Sequence, residues 1–372
     1  MNVVIVGAGP VGLYLGCLLR RRGIACTILE RRLVRSTHSR SIGIHPPALR
    51  QMEHLGLGER LVRKGIPVRQ GYGYIDNHEA GILSFSSLPQ PFNFILALPQ
   101  SETEAILENH FESLGPPVQR GHDVRGITQR DEAVAITTRH LERQNLWEAD
   151  WVIACDGRHS AVRSMLGVTF KGGSYRDHYV MGDFPDTTVH GRHAAIYLDR
   201  RGVVECFPLP NGIRRWVVRL DAPLSQAAQE ISTLCDQVMR RTGTTLPQEA
   251  CSMHSSFTAE RYEAERFFVG RVALAGDAAH VISPIGGQGM NLGWMDADWL
   301  AAWLDRGAAM QERPRYRSDR VSSFRKAARR AELNMLLGRS GPLFPLRRLI
   351  AHMVLNPRTQ PFFVRLFSMQ NV

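Results

Sequence analysis

The 372-residue sequence has no uninterrupted apolar run of about 18 residues, which excludes a segment that reads as a membrane-spanning helix. Met1 leads straight into a strand-like run, without the basic region and apolar core of a signal peptide. The six cysteines, Cys17, Cys26, Cys155, Cys206, Cys235 and Cys251, show no CxxC spacing, so neither a zinc site nor a disulfide framework is expected and a reducing, cytoplasmic setting is. There is no GxSxG elbow, no paired cysteine and histidine motif and no histidine cluster of ligand spacing; no metal is expected, and no catalytic triad. No internal repeat or low-complexity linker appears. The formal charge of +11 is also absent from most of the chain. Up to Asp305 basic and acidic residues balance, and from Arg306 onward 14 Lys and Arg face only Glu312, Asp319 and Glu332. No nucleic-acid module accompanies this surplus, so nucleic acid is not an expected partner. PLFPLRRLIAHMVL and PFFVRLFSM within the basic stretch have helix-compatible apolar spacing. They read either as peripheral contact with an anionic membrane or as an amphipathic cap on the rest of the protein.

What is present begins with chemistry for a dinucleotide. Met1 to Ile5 reads as a strand, Gly7-Ala-Gly9-Pro10-Val11-Gly12 as the turn into an apolar helix, and Ala25 to Leu29 as a second strand ending in Glu30. Gly7 permits the turn, Gly9 admits a pyrophosphate to the backbone and Gly12 brings helix against strand. An acid at Glu30 takes ribose hydroxyls and repels a 2′-phosphate, so FAD or NAD fits better than NADP.

Residues 270–298 build a second seat. Val272 to Ala275 reads as a buried strand, and Asp277 stands at its carboxyl end, where open α/β sheets bind ligands. Gly286, Gly287 and Gly289 allow close approach to a flat ring, and a helix opening at Asn291 directs its amino end at negative charge. Between these motifs, His45 to Lys64 and Ser101 to Phe111 read as helices, 71–97 as antiparallel strands, and Val118 to Ile153 as a meander feeding a strand that ends in Asp156-Gly157. Arg158, His159 and Arg163 surround that loop, where a phosphate or a nicotinamide ribose could dock. Residues 179–263 carry further strands and a helix near Gln226 to Arg241, with Met181, Phe207 and Trp216 as candidate pocket residues.

With GAGPVG plus Glu30, CDGRHSAVR (Cys155 to Arg163) and GDAAHVISPIGGQGMN in this order, the chain resembles the FAD-dependent aromatic hydroxylases of the para-hydroxybenzoate hydroxylase fold, the single-component flavoprotein monooxygenases. The resemblance implies an α/β fold, with a Rossmann-type FAD-binding domain (1–70, 98–178 and 264–305), an inserted β-sheet substrate domain (71–97 and 179–263) and a basic C-terminal helical segment (306–372). It implies FAD contacts at Gly7, Gly9, Pro10, Val11, Gly12, Glu30, Arg31, Arg40, Gln100, Val124, Asp156, Gly157, Asp277, Pro284, Gly287, Gly289, Met290 and Asn291. Arg40, Arg158, His159 and Arg163 are implied as NAD(P)H contacts, and Pro284 and Gly286 join the substrate pocket. The activity implied is NADPH- or NADH-driven hydroxylation of an aromatic or other electron-rich molecule with O2, through a flavin C4a-hydroperoxide, the chemistry centred on flavin rather than on a catalytic side chain. Other readings are a flavin redox enzyme acting on a lipophilic quinone or polyene at a membrane, a flavin halogenase (disfavoured, since WxWxIP is missing) and a non-catalytic FAD-binding pathway protein. No stretch resembles the thioredoxin-like domain of the phenol hydroxylases; the basic segment stands in its place, either touching a membrane or packed as an amphipathic cap on the FAD domain.

Overall fold

The computed structural model describes residues 1–372 apart from 37–38, 40, 222–229, 342–343 and 371–372. β1 (Asn2–Val6) is buried from Val3 onward, as a strand covered on both faces must be. α1 (Pro10–Arg21) starts on proline, whose missing N–H is no loss in a first turn, and buries Leu13, Leu15, Leu18 and Leu19. β2 (Ala25–Glu30) and β3 (Gly43–Ile44) follow. The single helix expected over 45–64 is two, α2 (Pro46–Glu53) and α3 (Gly58–Lys64), because the chain turns at Gly56 with φ 68°, a conformation only glycine adopts cheaply. Then come β4 (Ile66–Val68), β5 (Gln70–Ile75), β6 (His78–Ser84) and β7 (Ile95–Ala97). α4 (Gln100–Ser113) opens one residue before the expected Ser101, with Pro99 at the cap, so Gln100 belongs to its first turn. β8 (Gln119–Arg120), β9 (Asp123–Gln129), β10 (Val134–His140), β11 (Arg143–Ala149) and β12 (Trp151–Ala154) lead to α5 (Ala161–Met165), capped by Ser160 Oγ, which accepts from Arg163 N at 2.9 Å.

The second half holds β13 (Phe170–Pro185), β14 (Ala194–Asp199), β15 (Gly202–Leu209), β16 (Ile213–Leu220), α6 (Ile231–Thr242), β17 (Met253–Ala264), β18 (Phe268–Val269), β19 (Val272–Leu274) and β20 (His280–Val281). Of the helix expected over 226–241, residues 226–229 lie outside the described residues. α7 (Gly289–Asp305) begins two residues before the expected Asn291 and is followed by α8 (Arg313–Gly338), α9 (Phe344–Leu355) and α10 (Gln360–Phe367).

Two large sheets result. The six-stranded sheet runs β18-β19-β12-β1-β2-β8, with β19, β12, β1 and β2 parallel, so the ends of these four strands lie along one edge. Its largest core cluster includes Val4, Ile28, Ile153 and Ala273. The eight-stranded sheet runs β20-β17-β13-β16-β15-β14-β5-β6. β13 crosses the expected boundary at 178/179, since Phe170 to Ser174 already pair with β17. β7 pairs with β3 and β4 in a small separate sheet, although 95–97 was expected with the substrate strands.

The basic segment is mostly committed to contacts. α8 sends Met335 into a cluster with Met181 and Val217, and Arg339 pairs with buried Asp177 at 2.7 Å. Leu355 of α9 covers Gly73 and Gly81, two positions without side chains on β5 and β6, and Val364 of α10 packs with Phe85 and Leu88. Thus α9 and α10 cap the edge of the eight-stranded sheet rather than the flavin side. Among the described residues no helix is long and apolar enough to cross a membrane.

One half-buried acid between α1 and α7 yields a pH prediction. Tyr14 donates to Asp298 Oδ1 at 2.8 Å. Burial, only partly offset by that bond, pushes the Asp298 carboxyl up to about 6. Its folded pKa lies above its unfolded one, so its favourable contribution is complete below about pH 4 and is lost as pH rises through about 6. Asp298→Asn, which keeps an acceptor for Tyr14, is therefore expected to leave stability unchanged at pH 4 and raise it by about 1–2 kcal/mol at pH 8. Urea unfolding at both pH values checks this; a gain that does not grow with pH would refute it.

Candidate functional site

Three loops converge where β1, β12 and β19 end. The backbone is packed so closely there that side chains are excluded: a Cβ on Gly7, at φ 106°, would lie 2.4 Å from Cys155 O, and one on Gly12 would lie 2.0 Å from Gly7 O. Gly9 is different, with nothing within 4 Å of where its Cβ would stand. It caps α1 without a side-chain partner, so unpaired amides of the first turn face open space, as an anion site requires. Glu30 supports the turn from the next strand, its Oε2 accepting from Ala8 N at 2.9 Å and its Oε1 from Arg32 N at 3.0 Å.

The Asp156-Gly157 loop adds a buried acceptor without a partner. Asp156 Oδ2 accepts from Val162 N at 3.1 Å, whereas Oδ1 is buried and unbonded. Burial raises the pKa of this carboxyl against the opposing hydrogen bonds of Ser160 and Val162. Gly157, at φ 82°, has open space where a Cβ would be. At the third strand end the Asp277 side chain is exposed. These features fit a flavin dinucleotide: open amides for the pyrophosphate, and free carboxylate oxygens for hydroxyls. Asp277→Ala should accordingly weaken FAD retention about tenfold to a hundredfold, the usual effect of losing one charge-assisted hydrogen bond. Fluorescence titration of apoprotein with FAD measures it, and an unchanged Kd would remove Asp277 from the site.

The second glycine loop closes against α2 and α8. Gly286 and Gly287 take φ 88° and 64°, Gly287 N donates to Pro284 O at 2.9 Å, and His45 Nε2 meets Gly286 O at 2.9 Å. Burial first of all lowers the His45 pKa to about 4, so this ring is neutral. Asn291 is a pin: Nδ2 donates to Gly43 O and Gly287 O at 3.0 and 2.8 Å, and Oδ1 accepts from His45 N. Pro284 and Gly286 are exposed beside buried Ile285.

Other residues singled out in the sequence are placed differently. Arg163 is buried, donating to Ala278 O at 3.0 Å and Arg158 O at 2.8 Å, so it ties the Asp156 loop to the Asp277 loop. Arg158 is on the rim but ion-paired with Glu260; His159 and Arg31 are exposed. Arg40 lies outside the described residues; Gln100 N donates to Ser39 Oγ at 2.7 Å. The side chains of Val124 and Met290 are in the core, and Val11 packs on Gly276 and Gly293, where Cβ atoms would come within 3.1 and 2.4 Å of it. Pro10 O accepts from Trp294 Nε1.

Strand parity divides the proposed pocket residues. Met181 and Phe207 share the face that meets Ile285. Trp216 is one residue out of phase with Val217 and lies on the opposite face, among Val180, Leu234 and Val238 beneath α6, so it is core and not pocket. The sequence reading also missed the buried Arg215–Asp183 pair on the pocket face and the His280–Asp296 pair behind the loop, each at 2.7 Å. Charged residues at alternate positions of otherwise apolar strands are the signal that could have found the first.

A family model described as an FAD binding domain matches residues 1–331. A rifampicin monooxygenase of Streptomyces venezuelae is 32% identical over 366 residues, covering 95% of this chain and 75% of the relative. The solved anhydrotetracycline hydroxylase of Streptomyces rimosus is 29% identical with a TM-score of 0.81, over 100% of this chain and 77% of that one. The p-nitrophenol 4-monooxygenase of Pseudomonas putida DLL-E4 shares the fold, with a TM-score of 0.90 at 24% identity over 99% and 98% of the two chains.

Proposed function

Because the chain belongs to the family of FAD-binding flavoprotein monooxygenases, we propose that it hydroxylates an aromatic or similarly electron-rich small molecule at the expense of NADPH or NADH and O2. The observation that carries this reading is the meeting of Ile285, in the glycine loop beside the cofactor cradle, with Met181 and Val217 of the eight-stranded sheet. A ring seat and an apolar substrate face thereby become one site. Relatives named for rifampicin and anhydrotetracycline support an aromatic substrate. The division into cofactor stretches (1–70, 98–178, 264–305), substrate sheet (71–97, 179–263) and basic segment (306–372) is part of the proposal, amended by the pairing of Phe170 to Ser174 with β17 and of β7 with β3 and β4.

Bound FAD would accept electrons from the nicotinamide and activate oxygen. The amides opening α1 would hold the pyrophosphate, with Glu30 on the adenosine ribose and Asp277 on the hydroxylated linker. The amino end of α7 at Gly289 would stabilise negative charge developing at the ring seat. Ile285, Met181 and Val217 would keep water from the reacting atoms. Arg158 and His159, on the surface, would remain for a transient nicotinamide cofactor.

The test is to record the visible spectrum of the purified protein, then follow NADPH and NADH oxidation in air with phenols, quinones and polyketide-like aromatics, reading product mass in the same run. A yellow protein whose oxidation rate rises with an aromatic, giving a product heavier by one oxygen, is the expected result. A yellow protein indifferent to both nicotinamides under every condition of the panel would overturn it.

A further inference from the structure

The two faces of α9 and α10 carry different chemistry. Phe344, Arg347 and Ala351 recur at helical spacing and are buried, with Phe344 and Ala351 packed against Ile75, Ala80 and Leu198 of the eight-stranded sheet. The outer side of α9 carries Leu346, Leu349 and Met353, one on each successive turn and each about half exposed. α10 packs against α9 and lies over β6 as well, with Val364 turned inward and Phe362 left 68% exposed. Ile82 of the same edge strand is also open, and its carbonyl accepts from Gln360 Nε2 at 2.8 Å. A helix that only covers a sheet edge needs polar side chains outside. Single exposed apolar residues are ordinary, whereas a group of them on adjoining elements marks a contact surface.

The charges on this surface have one sign. From Leu333 to Val372 the sequence holds five arginines, no lysine and no acid, and β5 and β6 add Glu79 alone. Two of the five are turned inward, Arg347 donating to Gly341 O at 2.9 Å and Arg339 pairing with Asp177. The other three, Arg348, Arg358 and Arg365, are exposed and pair with no acid among the described residues. A second copy of this chain docked here across a two-fold axis would set arginine against arginine. An anionic lipid surface meets both requirements, since it attracts the arginines and admits leucine, methionine and phenylalanine below the headgroups.

We propose that the outer face of α9 and α10 docks this protein on anionic phospholipid, with Leu346, Leu349, Met353 and Phe362 at the acyl boundary and Arg348, Arg358 and Arg365 among the phosphates. The contact is peripheral, in keeping with helices too short to span a bilayer. It also resolves the two readings of the basic segment, because the inner faces cap the sheet while the outer faces remain for lipid. Docking through β5 and β6 turns the eight-stranded sheet towards the membrane, rather than the cofactor cradle. The assignment goes beyond the monooxygenase reading and does not rest on it.

The test sediments the FAD-loaded protein with vesicles of phosphatidylcholine alone and of phosphatidylcholine with about one-third phosphatidylglycerol. The wild type is expected to bind only the anionic vesicles and to be released by about 0.5 M NaCl. Joint replacement Arg348→Gln, Arg358→Gln and Arg365→Gln should weaken binding about thirtyfold or more, and Leu349→Ser with Phe362→Ser about tenfold or more. Arg60→Gln, Arg139→Gln and Arg143→Gln remove the same charge from exposed positions elsewhere, and together they should leave binding within about threefold of the wild type. FAD content and urea midpoints establish that each variant is folded. The assignment falls if the wild type ignores anionic vesicles or binds both kinds equally, if the Leu349 and Phe362 replacements change nothing, or if the distant arginines matter as much as the three on the face. A dimer in lipid-free solution that the Leu349 and Phe362 replacements split, with no vesicle binding by the wild type, gives the face to a second copy and likewise overturns it. Oxygen insertion measured in the same samples keeps the two readings apart: vesicle binding without insertion leaves the docking standing and counts only against hydroxylation.

Discussion

Gly12→Ala is expected to give a protein that neither folds stably nor retains FAD, while Gly9→Ala gives a stable apoprotein that has lost the cofactor. The contrast follows from what surrounds each position. A methyl on Gly12 would stand 2.0 Å from Gly7 O, a backbone atom held in place by the turn and by Gly7 N donating to Leu29 O at 2.8 Å. Relief requires moving α1 off β1, through a core that includes Leu13 and Ile5, so the cost should be about 3 kcal/mol or more. Gly9 has φ −78°, which alanine adopts freely, and no atom near its missing Cβ. Its replacement should change apoprotein stability by no more than about 1 kcal/mol, the range of a cap substitution. The methyl would project into the space where a pyrophosphate meets the amides of α1, weakening FAD about tenfold or more. Urea unfolding of apoproteins and FAD titration by fluorescence measure the two effects separately. Equal stability losses for the two variants would show that this turn is not built around a phosphate.

Arg215→Ala should be the most damaging change on the substrate face. Arg215 and Asp183 are both buried, their Nε–Oδ1 and Nη2–Oδ2 bonds are 2.7 and 2.8 Å, and Nη2 also donates to Ser39 O at 2.8 Å. Removing the arginine strands a carboxylate in the interior and frees the segment against which Gln100 is fixed. A loss of about 3–5 kcal/mol is expected, together with poorer FAD retention. Arg215→Met combined with Asp183→Leu should recover much of the stability, because the penalty comes from the unpaired charge and not from loss of a strongly favourable bond. Denaturant midpoints of the single and double variants decide this; a double variant no better than Arg215→Ala would mean that the contact with Ser39 dominates.

The amino-acid sequence by itself determined the parts of this protein whose chemistry is local. Gly7, Gly9 and Gly12, Glu30 eighteen residues after Gly12, Asp156-Gly157 and Asp277 each combine a strand end, a backbone conformation or close approach, and a polar group within a few residues. Such features obey rules of short range, so the proposed FAD cradle and the mixed α/β fold are legible in the residues themselves. Tertiary structure alone decided what depends on which surface covers which. Alternation in β16 says that Trp216 and Val217 face opposite ways, but only the packing of α6 on one side and Ile285 on the other says which is pocket. Arg163 carries the same charge in either setting; its burial against Ala278 O depends on a loop 115 residues away. The landing of α9 and α10 on β5, β6 and the turn after them likewise follows from bare glycines at 73 and 81 and from Phe85, partners more than 250 residues from the helices they receive.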